Sequence, residues 1–584
     1  MLARLGRLAA EADPPTLDPI PSPAAPMALT LILGNQLYRD WLEPSPLRLA
    51  PGSTVLMLED LGIASAYRYH RLRLLHTFVA MRAFAERLRE HHVRVIYGEL
   101  EESRQWPFWQ RLDKELGVEY RSGPVVPGGS GEAAGGPSGG LGAELGAEVV
   151  APAEPVLRLS EVPDRGFQEA VQRFCDERRV RLEILPSPAF LESEAESRAW
   201  FSGRRRPFMK TFYERQRRRL GLLLDADGGP IGGRWSYDSE NRRKLPKGYR
   251  EPPLPLVAES PQDGVVRLQI ERFFASNPGE LGPLFIPWDQ PGAEAWLETF
   301  LEQRLTGFGP YEDALSCQHD TLHHSLLSPL LNIGLLTPQR VLERLFAHAE
   351  RRGIALAPAA DATPAAASPG DAATGPLPIA SLEGFVRQVI GWREFVRGID
   401  LVHGETQAQA NHWGHQRRLA PCWEDGSTGL PPLDRAIERV NRLAYNHHIE
   451  RLMVISCLML LCEIHPQQAH RWFMERYLDS YDWVMGPNVY GMGLMSDGGI
   501  FATKPYLCGS NYILKMGDDR RGPWCEIWDG LYWRFIDRHR DFFASNPRLA
   551  MAVRTLDRME PQRRQGLEAA AEAFLERVTR PGPA

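Results

Sequence analysis

The sequence predicts two architectures in one chain: a doubly wound parallel α/β sheet at the N-terminal end and an all-α body behind it. Three observations carry this. From residue 28 short apolar runs alternate with helical stretches, and strands separated by helices build parallel sheets. Beyond residue 265 the chain turns mostly helical and rich in aromatics. At 584 residues it also exceeds one ordinary core, so two or three domains are expected.

The elements follow in order. TLILG reads as a buried strand and STVLMLED as a second; 66–90 is an amphipathic helix, and VRVIYGEL is a third strand. Parallel sheets of this kind hold ligands at the carboxyl ends of their strands. Gly34, Asn35, Gln36 and Glu59 therefore stand either in a ligand site or in ordinary βα turns. Residues 122–148, SGPVVPGGSGEAAGGPSGGLGAELGAE, lack the strand-turn-helix setting of a nucleotide loop and read as a low-complexity insertion, as does 356–376. Helical periodicity marks 292–305, 338–352, 381–399, 433–463 and 467–484, and eight of the 15 tryptophans follow residue 380. An aromatic-filled core and a cofactor pocket among helices both fit that distribution.

The expected organisation is an extension over 1–26, an α/β domain over 27–190, a linker over 191–265, a helical domain over 266–545 and a helical tail over 546–584. Met27 directly precedes the first strand, and the fold is expected to begin there. Residues 1–26 have no apolar h-region and are no secretory signal.

Composition narrows the function. With 43% hydrophobic and 24% charged residues the chain reads as soluble and globular, and no apolar run reaches membrane-spanning length. The seven cysteines form no CxxC pair, so reduced thiols in a cytoplasmic protein are expected. The formal charge of −6 hides a local reversal: 201–250 holds 14 basic and 5 acidic residues. Within it, SGRRRPFMKTFYERQRRRLG places arginine triplets on both sides of an aromatic segment. Arg204, Arg205, Arg206 and Lys210 suit phosphate contacts, with apolar contact to bases or sugars between them. A solvated helix face accounts for part of the same pattern.

The segment YNHHIERLMVISCLMLL raises its own question, because His447 and His448 stand at the mouth of a buried apolar helix. Metal binding, proton transfer and core packing are the candidates. Metal-binding histidines usually stand at i,i+4 or have a distant partner, and none is evident here. Adjacent residues on a helix point about 100° apart, so the two do not face one ligand equally.

Ten segments in order, LILGNQL, RPFMKTFY, GGRWSYDSENR, FGPYEDAL, HHSLLSPLLNIGLL, VRQVIGWREFVRG, YNHHIERLM, WVMGPNVYGM, DGGIFATKPY and GLYWRF, give the chain a family resemblance. From about Ala28 to about Arg540 it resembles the bacterial iron–sulfur branch of the photolyase/cryptochrome family, the group that contains prokaryotic (6-4) photolyases. The resemblance implies an N-terminal α/β domain with an antenna chromophore, in this branch usually 6,7-dimethyl-8-ribityllumazine, and a helical domain that holds FAD. It places His447 and His448 beside the flavin and lesion, where an imidazole can donate a proton near neutral pH. Tyr506, Tyr512 and Asp313 match active-site positions. Ser325, Ser328, Asn332, Trp392, Arg393 and Asn488 match positions around FAD, and Trp472 and Trp423 are the electron-relay candidates. Gly34, Asn35, Gln36 and Glu59 fall at the antenna.

Three departures stand out. Family members bind a four-iron four-sulfur cluster through four cysteines, but this chain offers Pro432, Arg520 and Pro523 at three of those positions and only Cys525 at the fourth. Cluster iron needs thiolates, so the cluster is expected to be absent and no other metal is expected. Met485 replaces an acidic residue that approaches the flavin. Phe473 follows Trp472 where tyrosine is usual, and phenylalanine is much harder to oxidise.

The reading is a monomeric, cytoplasmic DNA photolyase that delivers an electron from photoexcited reduced FAD to a (6-4) photoproduct in UV-damaged DNA. A cryptochrome-like blue-light photoreceptor without repair activity is the alternative, favoured by the lost acidic residue. A flavin oxidoreductase ranks third, since no nicotinamide-binding loop is visible.

Overall fold

The computed structural model describes residues 28–117, 154–356 and 375–582. The extension 1–26 and the insertion 122–148 lie outside these residues, as does all but the ends of 356–376.

Five strands, β1 (Ala28–Leu31), β2 (Thr54–Leu58), β3 (Arg94–Gly98), β4 (Val156–Ser160) and β5 (Arg181–Leu185), pair in parallel in the order β3-β2-β1-β4-β5. The strand order reverses at β1, which makes the β1–β4 edge the switch point where such sheets open a crevice. Side chains alternate between faces as a strand period of two requires. Leu29, Leu31 and Leu56 pack with Phe108, Leu112 and Phe174 in one core. Ile32, Val55 and Met57 face the other way and join the main core, which continues into the helical body through Trp296, Phe300 and Phe385. The sheet is thus docked on the helices through shared apolar packing. The Leu37 N–H also donates to the Ile333 carbonyl at 2.9 Å across that junction.

The helix expected over 66–90 spans Arg71–Glu90. Its start is delayed because the His70 ring caps it, Nδ1 accepting from the Leu72 N–H at 3.1 Å. Strands β4 and β5 went unread because charges interrupt their apolar pattern, Arg158 in one and Arg181 and Glu183 in the other.

Two of the five helical stretches differ from expectation. The stretch 433–463 is not continuous: one helix, Pro431–Leu443, ends where Ala444 adopts a left-handed φ of 51°, and helix resumes only at His448. The stretch 467–484 likewise divides into Pro466–Arg476 and Asp482–Gly486. Both breaks turn polar residues into the centre of the helical body. Wide π-helical turns occupy Arg387–Arg393, Glu450–Ser456 and Pro487–Gly493. Such turns insert an extra residue and re-aim side chains, frequently at functional sites.

At the C-terminal end, the helix Pro561–Val578 lies on Trp524–Arg538. The approach is close enough that a Cβ at Gly530 would stand 2.2 Å from the Leu567 carbonyl oxygen, so only glycine fits. Thr579–Arg580 then pairs antiparallel with Arg418–Leu419, which ties the tail to the helical body.

Candidate functional site

The two helix breaks and the three π turns converge on one cavity with an outer lobe of about 610 Å³ and an adjoining inner lobe of about 310 Å³. Ligand pockets commonly fall in the range of about 300–1,000 Å³. Ser325, Ser328, Asn488 and His448 border both lobes; Asn332, Trp392 and Arg393 border the outer one. Tyr506, Tyr512 and Asp313 also stand around the outer lobe, and His447 around the inner.

The backbone break at Ala444 sets up the histidines. Asn446 is pinned beneath them, donating to the Ala436 carbonyl at 3.1 Å and accepting from the Tyr477 hydroxyl at 2.9 Å. His447 is buried, and neither of its ring nitrogens has a hydrogen-bond partner. Its ring stacks on His324, with centroids 4.8 Å apart and planes 6° from parallel. Burial pushes both imidazoles well below the usual histidine range, so both are neutral at pH 7. His448 differs: its side chain is 48% exposed, and its Nε2 lies 3.6 Å from Asp313. It meets His324 edge-on at 5.3 Å. One water-facing imidazole beside a carboxylate therefore stands on two neutral, buried ones.

A second centre, Asp479, lies where the chain breaks between Arg476 and Asp482. Its carboxylate accepts from Ser328 Oγ at 2.6 Å and from Arg451 at 2.9 Å, while its carbonyl accepts from Asn332 Nδ2 at 2.8 Å. Asn332 in turn accepts from Arg393 at 2.6 Å, and the Arg393 guanidinium lies 4.9 Å over the Trp483 ring. This chain of donors lines the cavity with fixed polar groups and two half-buried cations, Arg393 and Arg451. A large anionic cofactor with a flat ring suits such a wall.

Sequence reasoning missed Asp479, Arg451, Glu312, Gln388 and His324, all of which line the cavity. All but Asp479 lie inside the family-like segments, but only three-dimensional packing distinguishes them from their neighbours.

The relay candidates lie outside the cavity lining. Phe473 borders the inner lobe, and Trp472 stands behind it, edge-on at 5.4 Å. Trp472 Nε1 donates to the Trp423 backbone carbonyl at 3.0 Å, and both indoles are buried. Met485 borders the inner lobe.

At the carboxyl ends of β1 and β2 a smaller cavity of about 190 Å³ is bordered by Gly34, Asn35 and Glu59 and is closed from the helical side by Tyr481 and Asp482. The Glu59 carboxylate is already engaged by Arg82 at 2.7 and 2.8 Å, the Tyr97 hydroxyl at 2.6 Å and the Leu100 N–H at 2.9 Å. Gln36 does not reach this cavity; it is buried and donates to the Ser160 carbonyl at 2.9 Å, holding β1 to β4. Both residues shape the crevice through contacts within the protein.

The basic segment splits. Arg204, Arg205, Arg206 and Lys210 are exposed, with Phe208 57% exposed among them. The Arg204 guanidinium lies 4.4 Å over Trp200, and Arg206 borders an opening beside Gly498 and Thr503, one residue before the cavity-lining Lys504. The second triplet corrects the expectation that both would meet phosphates. Arg217 is buried and donates to the Trp235 carbonyl at 3.0 Å, and Arg219 donates to the Leu191 carbonyl at 3.0 Å. These two tie the linker to its own fold.

Of the expected cluster positions, Pro432 and Cys525 are buried and Arg520 and Pro523 are exposed. Pro432 is buried in the first turn of its helix, and the Arg520 carbonyl accepts from Trp524 Nε1 at 3.0 Å. Pro523 precedes the helix that carries Cys525, which is buried. Among the described residues no group of three or more His, Cys, Asp or Glu side chains is placed to hold a metal, and no helix is long and apolar enough to cross a membrane.

Comparison with known proteins agrees with this geometry. Residues 385–512, which contain the three cavity-lining π turns, match the family described as FAD binding domain of DNA photolyase. Residues 30–119 and 140–285 match the family described as deoxyribodipyrimidine photo-lyase-related protein. The helical body is thus an FAD-binding domain. A (6-4) photolyase of Agrobacterium fabrum is 31% identical over 564 residues, covering 94% of this chain and 99% of that one. A deoxyribodipyrimidine photo-lyase of Vibrio cholerae is 23% identical over 203 residues, covering 33% of this chain and 37% of that one. The fold is shared with the cryptochrome of Synechocystis, at 12% identity and a TM-score of 0.52 over 94% of this chain and 100% of that one. The chain belongs to the photolyase/cryptochrome family.

Proposed function

We propose that the protein is a light-driven DNA photolyase acting on (6-4) pyrimidine photoproducts. The observation that carries this reading is the water-facing His448, held beside Asp313 over the neutral His324–His447 stack at the edge of the FAD cavity. Bound FAD, reduced and excited by light, supplies the electron. Everything else is asked of the protein's own residues. His448, its Nε2 3.6 Å from Asp313, gives a proton to the photoproduct. Tyr506 and Tyr512 offer apolar rings with hydroxyl tips to a flipped lesion, and Arg204, Arg205, Arg206 and Lys210 hold the flanking phosphates. Extruding a base costs a few kcal/mol and is cheapest at a damaged site, which contributes selectivity.

The cavity at the ends of β1 and β2 is the place for the antenna, and 6,7-dimethyl-8-ribityllumazine is the chromophore that the family resemblance assigns to it. The residues at the cluster positions do not fit a four-iron four-sulfur cluster, because Pro432, Arg520 and Pro523 supply no thiolate. We read the protein as cluster-free, monomeric and cytoplasmic.

Met485 on the inner lobe favours the second reading, a photoreceptor that signals through its flavin without repair. Illumination with defined (6-4) and cyclobutane oligonucleotides separates the two. Light-dependent repair of the (6-4) substrate is expected. Normal photoreduction with no repair of either lesion replaces this reading with the photoreceptor.

A further inference from the structure

Arg387 is shared by three carboxylates in the wall of the cavity. Its guanidinium lies 3.5 Å from Glu312, 3.3 Å from Glu383 and 3.5 Å from Asp238. One cation cannot balance three anions where water is scarce, so the least costly arrangement leaves one carboxyl protonated. Asp238 faces water, with its side chain 55% exposed, and also pairs with Arg242. Glu383 is buried but both its oxygens already accept, one from the Tyr213 hydroxyl at 2.9 Å and the other from the Tyr237 N–H at 2.8 Å. Glu312 is the remaining member. It is buried, follows Tyr311 at the end of the helix Leu305–Tyr311, and borders both lobes of the cavity.

Its two oxygens are not equivalent. Oε2 accepts from Asn241 and faces Arg387, whereas Oε1 accepts only from Gln388 Nε2, at 2.8 Å. Oε1 is therefore the oxygen free to carry a proton. Other charged and titratable groups face this carboxyl: Asp238 and Arg242 from the turn beside it, Asp313 from its own segment, His448 and His324 from across the cavity. Burial raises its pKa to about 7, with Arg387 and His448 opposing the rise and Asp313 and Asp238 adding to it.

We propose that Glu312 faces the cavity as a neutral carboxylic acid and donates a hydrogen bond from Oε1 to the ligand held there, so that its ionisation switches the site off. The inference rests on the electron-delivering role proposed above. An electron placed on a bound photoproduct creates negative charge in the cavity. A carboxylate in the wall opposes that charge, whereas an oriented O–H stabilises it. The proton stays on Glu312 throughout, and the electron returns by the route it came, so nothing is consumed.

The test uses the full-length, FAD-loaded protein. Repair by the parent should fall roughly tenfold per pH unit above its midpoint as the neutral fraction of Glu312 declines. In E312Q, a permanently neutral donor of the same shape, the alkaline fall should become shallower, keeping only the part that comes from the proton His448 must carry; in E312A repair should drop at every pH. A readout independent of repair comes from infrared spectra across a pH titration. The parent should show a protonated-carboxyl C=O band that titrates near 7, and E312Q should lose the Glu312 part of it, leaving that of the buried Glu394, which burial also raises to about 7. If the parent repairs nothing while the band behaves as stated, the photolyase reading fails but the neutral acid stands. If E312Q keeps the band at the parent's full intensity, or keeps the parent's alkaline fall unchanged, the proposal is overturned.

Discussion

The imidazoles of His324 and His447 lie face to face, 4.8 Å apart and 6° from parallel, and His324 Nε2 and both ring nitrogens of His447 have no hydrogen-bond partner. Two buried rings packed this way cannot both be charged. Their folded-state pKa values are depressed by burial, so the folded protein resists protonation while the unfolded chain accepts it near pH 6.5. The stability that depends on neutral rings is present above pH 6.5 and is lost as the pH falls below it. His324→Phe keeps a flat ring without a titratable nitrogen. It should reduce the acid-side slope of unfolding free energy by one proton, about 1.4 kcal/mol per pH unit. Chemical denaturation at a series of pH values reads this, and an unchanged slope would show that His324 is already charged in the folded protein.

His448 should be the indispensable proton carrier. General acids of this kind contribute about 100- to 10,000-fold, so His448→Asn should lower (6-4) repair by at least about 100-fold. Its side chain is 48% exposed, so neither His448→Asn nor His448→Ala should destabilise the fold by more than about 1 kcal/mol. FAD occupancy and flavin photoreduction should survive both changes. Repair at the parent rate in both variants would make this histidine a structural residue.

The arginine segment makes a separate claim. Arg204, Arg205 and Arg206 changed together to alanine should weaken binding to damaged and undamaged DNA alike, because phosphate contacts position without specifying. The slope of log K against log salt should flatten by up to about three units. An unchanged slope would mean that these side chains face only solvent.

The contrast between the two arginine triplets shows what the sequence could and could not convey. Both read as the same basic run, yet Arg217 turns inward to backbone carbonyls that no local pattern announces. The strands β1 and β2 were legible because burial on both faces of the sheet makes them short, nearly continuous apolar runs, with Leu29 and Leu31 in one core and Ile32 in the other. The break before His447 was not, because Ala444 is an ordinary helix former that takes a left-handed conformation only under tertiary constraint. The cavity residues recognised in advance lay in motifs with family likeness. Glu312 and Asp479 became visible only once Arg387, Ser328 and Arg451 were brought to them across the fold.

Iron should be absent from the purified protein. Trp524 donates to the carbonyl of Arg520, Arg435 pairs with Asp519 beside it, and Cys525 is packed in the core, so the region is held together without metal. Purification without oxygen, followed by metal analysis, should find FAD but no stoichiometric iron. About four irons per chain would overturn this.

Electron supply to the flavin should depend on Trp472. Phe473 intervenes at the cavity wall but is too hard to oxidise to serve, which leaves Trp472, edge-on to it at 5.4 Å, as the first donor. Trp472→Phe should therefore abolish photoreduction of oxidised flavin by an external reductant. The change also deprives the buried Trp423 carbonyl of its 3.0 Å donor, which should cost about 1–3 kcal/mol of stability. Trp423→Phe is the companion, because the bond from Trp472 is made to the Trp423 backbone and survives loss of the indole. It should leave Trp472 in place but slow photoreduction at the second step. Protein whose flavin has been reduced chemically before illumination needs no relay, so both variants should then repair as the parent does. If Trp472→Phe photoreduces at the parent rate, the electrons enter by another route. If it fails even with pre-reduced flavin, Trp472 supports the FAD pocket itself.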